Sequence, residues 1–158
     1  PNRPKSRGYV KLQSDDIYKD PKIQFNYLKE EEDLIQMRDS VKIANKILNQ
    51  PSLKPYLGKQ LRPGENCKTD DELDEIIRST SDTAYHPSCT NKMGNDELSV
   101  VNEETKVHGL QNLRIIDSSI MPDIVSGNLN AATMMIAEKA SDMILGNEEK
   151  TLDAPYYK

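Results

Sequence analysis

The sequence predicts an α+β fold, and three observations carry that reading. Two short stretches near the start alternate apolar and polar residues, the period of a strand with one covered face. From Glu31 the apolar residues recur instead at three and four, the period of an amphipathic helix. Further helical stretches, after Thr69 and from about Leu129, are set apart by loops bearing Pro and Gly.

In chain order, Gly8-Tyr-Val-Lys-Leu-Gln-Ser14 puts Val10 and Leu12 on one face and reads as a strand. Asp15-Asp16 and Asp20-Pro21 mark the turn after it, and Ile23, Phe25 and Tyr27 alternate as a second strand. Leu34, Met37, Val41, Ala44 and Leu48 form the stripe of a helix. Its acidic start, Glu30 to Asp33, suits the positive end of the helix dipole, and Pro51 closes it. After a loop through Pro55, Gly58, Pro63 and Gly64, Thr69-Asp-Asp-Glu72 has capping-box spacing and opens a helix carrying Leu73, Ile76 and Ile77. Asn112-Leu-Arg-Ile-Ile-Asp117 is a short β-branched run, predicted as a buried strand. The last helix, about Leu129 to Leu145, carries Met134, Met135, Ile136, Ala140, Met143 and Ile144 on most of its sides. Such a helix is expected to be buried against something substantial. Residues 148–158 read as a flexible tail.

The 158 residues suffice for one domain with a core, yet only 35% are hydrophobic, with no Trp and a single Phe. The chain is either a small, highly charged domain or a slice whose remainder supplies part of the core. The opening Pro1-Asn-Arg-Pro-Lys-Ser-Arg-Gly8, which lacks an initiating Met and runs straight into strand-like sequence, favours the slice. A net charge of −5 argues against general nucleic-acid binding, and the cluster Arg3, Lys5, Arg7 is too short to change that. No stretch approaches the roughly 18 apolar residues of a membrane span, and no signal peptide is visible. Cys67 and Cys89 form no CxxC pair, and with two histidines in the chain a zinc site is not expected. They read as two reduced thiols, with a disulfide as the alternative.

Two residues carry the sharpest chemistry. His86 lies in Tyr85-His-Pro-Ser-Cys-Thr-Asn-Lys-Met-Gly94; an imidazole titrates near neutrality and can take a proton from an alcohol. Asn128, in Ser126-Gly-Asn-Leu-Asn130, offers a carboxamide that can hold the resulting oxygen. Singly, each has a plainer reading: a capping or core histidine, and an asparagine capping the helix that follows. The same helix start could turn its N–H groups toward an anion. Asp117, followed by Ser118-Ser119, either makes a turn or presents polar groups at a strand end, where open α/β sheets bind ligands. His108 is given no role. An alcohol-oxidising site also needs a hydride acceptor, and nothing in this sequence obviously supplies one.

Together these segments are far more specific than any of them alone. Tyr85-His-Pro-Ser-Cys-Thr, Lys92-Met-Gly94, Val100-Val101, Val107-His-Gly-Leu-Gln-Asn-Leu-Arg-Ile-Ile-Asp-Ser-Ser-Ile-Met-Pro122, Ser126-Gly-Asn-Leu-Asn130 and Met135-Ile-Ala-Glu-Lys-Ala140 follow one another in order. They resemble the carboxy-terminal domain of the glucose–methanol–choline oxidoreductases, and among these the choline-oxidising members. Arg3-Pro-Lys-Ser-Arg-Gly8, Asn26-Tyr27, Asn49-Gln-Pro51 and Thr69-Asp-Asp-Glu-Leu-Asp74 extend the likeness over nearly all of residues 1–147. Ala154-Pro-Tyr-Tyr157 adds a weaker match.

The resemblance implies part of a two-domain flavoenzyme that oxidises an alcohol with FAD. Residues 1–84 would give antiparallel strands and packed helices of the substrate-binding half. Residues 85–147 would give the active-site loop, then a strand and buried helix returning to the FAD-binding half. His86 matches the active-site base, and Asn128 its partner that positions the alkoxide. Tyr85 matches a wall of the choline pocket, where a ring against a trimethylammonium group contributes about 0.5–2 kcal/mol. Asp117, Ser118 and Asn130 match the cofactor side. The implied partners are choline or a similar small alcohol, the amino-terminal FAD-binding part of the same protein, and a respiratory electron acceptor. The implied place is intracellular, at the periphery of a respiratory membrane. Two features depart from the pattern. Asn91 stands where choline-oxidising members usually carry Cys, and the glycine-rich βαβ fingerprint for the ADP half of FAD is absent from these residues. This chain alone is therefore expected neither to hold FAD tightly nor to turn over choline. The other readings are oxidation of another primary alcohol, or a non-catalytic binding or structural module.

Overall fold

A computed structural model describes residues 3–64 and 66–147. The flexible tail expected at 148–158 lies outside the described residues. The chain divides into two compact units, Pro1–Ala84 and Tyr85–Lys158.

The first unit opens with a two-stranded antiparallel hairpin, β1 (Tyr9–Lys11) and β2 (Lys22–Gln24), with Val10 opposite Ile23. Gly8 lies against the backbone of Gln24 and Phe25. A Cβ there would stand 2.1 Å from the Gln24 carbonyl oxygen, so the approach requires glycine. Each strand is shorter than its alternating stretch, because two strands without a third have nothing to extend the ladder. The alternation still shows beyond β2, where the Phe25 and Tyr27 rings stack with centroids 5.0 Å apart.

Helix α1 runs from Glu31 to Leu48 and helix α2 from Asp70 to Thr80. The α1 stripe supplies Leu34, α2 supplies Leu73 and Ile77, and these three pack with Leu28 as the buried core, flanked by Met37, Val41 and Cys67. The capping box of α2 forms: Thr69 Oγ1 accepts from the Glu72 amide at 3.2 Å, and Glu72 Oε2 accepts from the Thr69 amide at 2.9 Å. Polar contacts finish the helix pair. Arg38 Nη1 donates to Asp74 at 3.1 Å, and Arg78 Nη1 to the Leu28 carbonyl at 3.0 Å. The segment before β1 is tied to α1 by Asp33, a buried carboxylate that accepts from the amides of Lys5 and Ser6 and from the Ser6 hydroxyl.

The second unit is held largely by loop backbone. From Cys89 to Met93 alternate amides donate to a single 3-10 turn, Ser118–Ile120: Cys89 to the Ser118 carbonyl (3.3 Å), Asn91 to Ser119 (2.9 Å), Met93 to Ile120 (2.8 Å). Val101, Ile120 and Met121 are the buried apolar residues of this stretch. Helix α3, Leu129–Leu145, packs on the same turn and ends at Gly146, whose left-handed backbone (φ 69°) closes it.

One expectation is corrected here. The strand predicted over 112–117 is not formed. Its β-branched side chains suit a sheet, but among the described residues it pairs with just the irregular 105–107 stretch, giving an isolated bridge between Lys106 and Arg114. α3 has the predicted bounds. Of its residues only Leu129 and Ala140 are buried, while Met134 and Met135 stand 59% and 61% exposed. Both cysteines are free thiols.

Candidate active site

The residues singled out by their chemistry all fall in the second unit, on three pieces of it. His86 and Tyr85 sit on the loop that leads into the Cys89–Met93 lattice. Asp117 and Ser118 sit at the 3-10 turn. Asn128 and Asn130 sit at the start of α3.

The loop is bent sharply on both sides of His86. Tyr85 before it and Cys89 after it hold left-handed backbone, φ 57° and 68°, a conformation unfavourable for side chains of their size. His86 itself is exposed, and the Tyr85 ring is 80% exposed. The turn reaches this bend directly, since Ser118 Oγ donates to the Pro87 carbonyl at 3.1 Å. Asp117 caps the turn, Oδ1 accepting from the Ser119 amide at 2.7 Å. One oxygen of that carboxylate is thus spent on local structure.

At α3, Asn128 does not take the capping role. Asn128 is the N-cap residue, with extended backbone (φ −63°, ψ 141°), yet its side chain makes no capping hydrogen bond. Asparagine at this position ordinarily accepts from the second or third amide of the helix. Here those amides and the carboxamide both remain uncommitted to one another. Asn130 follows as the second helical residue, exposed, and no acid occupies the first turn.

The turn therefore links the two pieces with the relevant chemistry: it carries Ser118 against the His86 loop, and α3 packs upon it. Two further side-chain contacts, one at the turn and one at the far end of the loop, escaped the sequence reading. Asn91 Nδ2 donates to Ser119 Oγ at 3.0 Å, beside the backbone bond between the same residues. His108 Nε2 lies 3.0 Å from the Gly94 carbonyl oxygen, at the loop's far end. Only the departure at Asn91 from the usual Cys hinted at the first. Among the described residues no cluster of His, Cys, Asp and Glu could hold a metal ion, and no helix is long and apolar enough to cross a membrane.

The family profile described as GMC oxidoreductase matches residues 4–137. The chain belongs to the GMC oxidoreductases. Among curated members, it is 49% identical over 156 residues to the oxygen-dependent choline dehydrogenase of Acinetobacter baumannii (strain AYE), covering 98% of this chain and 28% of that protein. It is 50% identical over 146 residues to the protein of the same name from Escherichia coli O139:H28, covering 92% of this chain and 26% of that one. The chain thus spans about a quarter of the length of these relatives. Solved structures share the fold. Pyridoxine 4-oxidase from Mesorbium loti superposes with a TM-score of 0.84 at 28% identity, over 94% of this chain and 29% of that one. An FAD-dependent oxidoreductase from Chaetomium thermophilum gives 0.84 at 29% identity, over 91% and 25%. The three helices and the two-stranded antiparallel sheet are this family's architecture in this part of the chain.

Proposed function

We propose that this chain is the carboxy-terminal part of an FAD-dependent enzyme that oxidises choline to betaine aldehyde, toward glycine betaine. One observation supports it above the others. The asparagine at the start of α3 keeps its carboxamide out of the capping role, in the same unit as a histidine loop braced by the neighbouring turn. The choline dehydrogenases that share about half of its residues support the substrate.

In this reading the neutral ring of His86 accepts the proton of the substrate hydroxyl. Asn128 cannot act as a base, because an amide is not basic at neutral pH. Its N–H₂ donates to the oxygen as negative charge develops there. The exposed face of Tyr85 receives the trimethylammonium group. FAD, when bound, supplies the hydride acceptor. The start of α3 fits such a group: its first-turn amides lack a side-chain cap, no acid crowds them, and Asn130 is exposed beside them. Asp117, Ser118 and Asn130 form the cofactor side. Residues 1–84 belong to the substrate-binding half. Residues 85–147 return to the FAD-binding half, supplied by the amino-terminal part of the same protein, which also covers α3.

A second reading concerns the electron acceptor. The resemblance implies a respiratory carrier, with the protein at the surface of a respiratory membrane. The relatives' name, oxygen-dependent choline dehydrogenase, favours oxygen. Oxygen uptake driven by choline without an added dye distinguishes the two.

The test is His86→Ala in the full-length protein. Bound FAD should be retained, while the rate at which choline reduces it falls by about 10²–10⁴-fold, the usual worth of a positioned base. An unchanged rate removes His86 as the base. A preference for a neutral alcohol over choline removes the substrate.

A further inference from the structure

The bend around His86 has no regular secondary structure to hold it. Tyr85 and Cys89 both occupy the left-handed region, so the loop needs outside partners to keep this shape. Pro87, directly after His86, has no N–H, which leaves its carbonyl as its one backbone hydrogen-bonding group. That carbonyl is taken by the hydroxyl of Ser118, 31 positions away, at 3.1 Å. Ser118 is itself fixed: its own carbonyl accepts the Cys89 amide at 3.3 Å, and the next residue is clamped by Asn91 through both backbone (2.9 Å) and side chain (3.0 Å). A hydroxyl has a single proton, so whatever else Ser118 offers a ligand, it offers as an acceptor.

We infer that Ser118 is a positioning residue for His86. It acts through the Pro87 carbonyl to set where the imidazole stands. This rests on the reading of His86 as the base. Side chains at reacting distance tolerate little displacement; an error of about 1 Å costs up to about a hundredfold in rate.

The experiment uses the full-length flavoprotein and measures the rate of flavin reduction by choline, per bound flavin. Counted per bound flavin, Ser118→Ala should lower that rate by about ten- to a hundredfold, with the loss in kcat rather than KM. Ser118→Thr, which keeps the hydroxyl, should stay within about threefold of the parent. In a His86→Ala background, Ser118→Ala should cost less than about twofold more, because residues acting through one another are not additive. A parent-like rate in Ser118→Ala overturns the inference. So does an equal penalty with and without His86, or loss of flavin with a normal rate in the molecules that retain it. If His86→Ala is itself parent-like, the base assignment falls and this inference with it. If His86→Ala is slow and Ser118→Ala is not, the inference alone falls.

Discussion

Asp33→Ala probes how the first unit holds the segment that precedes its hairpin. The Asp33 carboxylate, 1% exposed, accepts from the Lys5 amide and the Ser6 amide, each at 2.7 Å, and from the Ser6 hydroxyl. Burial alone would raise its pKa. The Ser6 hydroxyl and the two amides outweigh burial and hold the carboxyl below its usual range. Alanine removes all three bonds. Each hydrogen bond to a charged acceptor contributes about 1.5–3 kcal/mol. Lys5 is exposed and Ser6 half-buried, so water recovers part of the loss. Taking the lower figure for the two amides, and nothing for the hydroxyl, gives about 3 kcal/mol. That is roughly a hundredfold in the local opening equilibrium. Amide hydrogen exchange in the full-length protein, read on peptides covering residues 3–9, measures it directly. The pH dependence has a definite sign. A carboxyl with a depressed folded pKa contributes fully above its unfolded value, about 3.9, and loses that contribution as pH falls through the folded value. The parent should therefore lose protection in this segment on acidification, and Asp33→Ala should have no such limb. Protection within about threefold of the parent, or the same acid loss in both proteins, would refute the reasoning.

Thr69→Ala removes the acceptor for the Glu72 amide and should weaken the first turn of α2 by about 1 kcal/mol. Thr69→Ser should restore it, and equal exchange protection in all three proteins would count against the capping box as a stabilising element. The isolated 158-residue chain should purify without flavin; a flavin absorbance band carried through purification would contradict the expectation that tight binding needs the amino-terminal part.

What the sequence made legible was local. The α1 stripe from Leu34 to Leu48, the Thr69–Glu72 spacing and the bounds of α3 all depend on neighbours within a turn or two, and all three formed. The 112–117 run failed because a strand is defined by a partner, and side-chain type alone does not supply one. The site divides in the same way. His86 and Asn128 announced themselves by functional group. The brace did not, since the Ser118 hydroxyl meets the Pro87 carbonyl across 31 positions, in a loop whose Tyr85 and Cys89 take left-handed backbone. Neither tyrosine nor cysteine advertises that conformation. Nor does a helix rich in apolar residues say what will cover it.

That helix also governs how the chain behaves as a material. Met134, Met135, Ile144 and Leu145 all stand in solvent on one 17-residue helix. Water disfavours such a surface, and copies brought together in solution can hide it against one another. Expressed alone, the chain would bind hydrophobic dyes and self-associate as concentration rises. Its yield would depend on detergent, chaperones or a co-expressed partner more than on any change to the Leu28–Ile77 core.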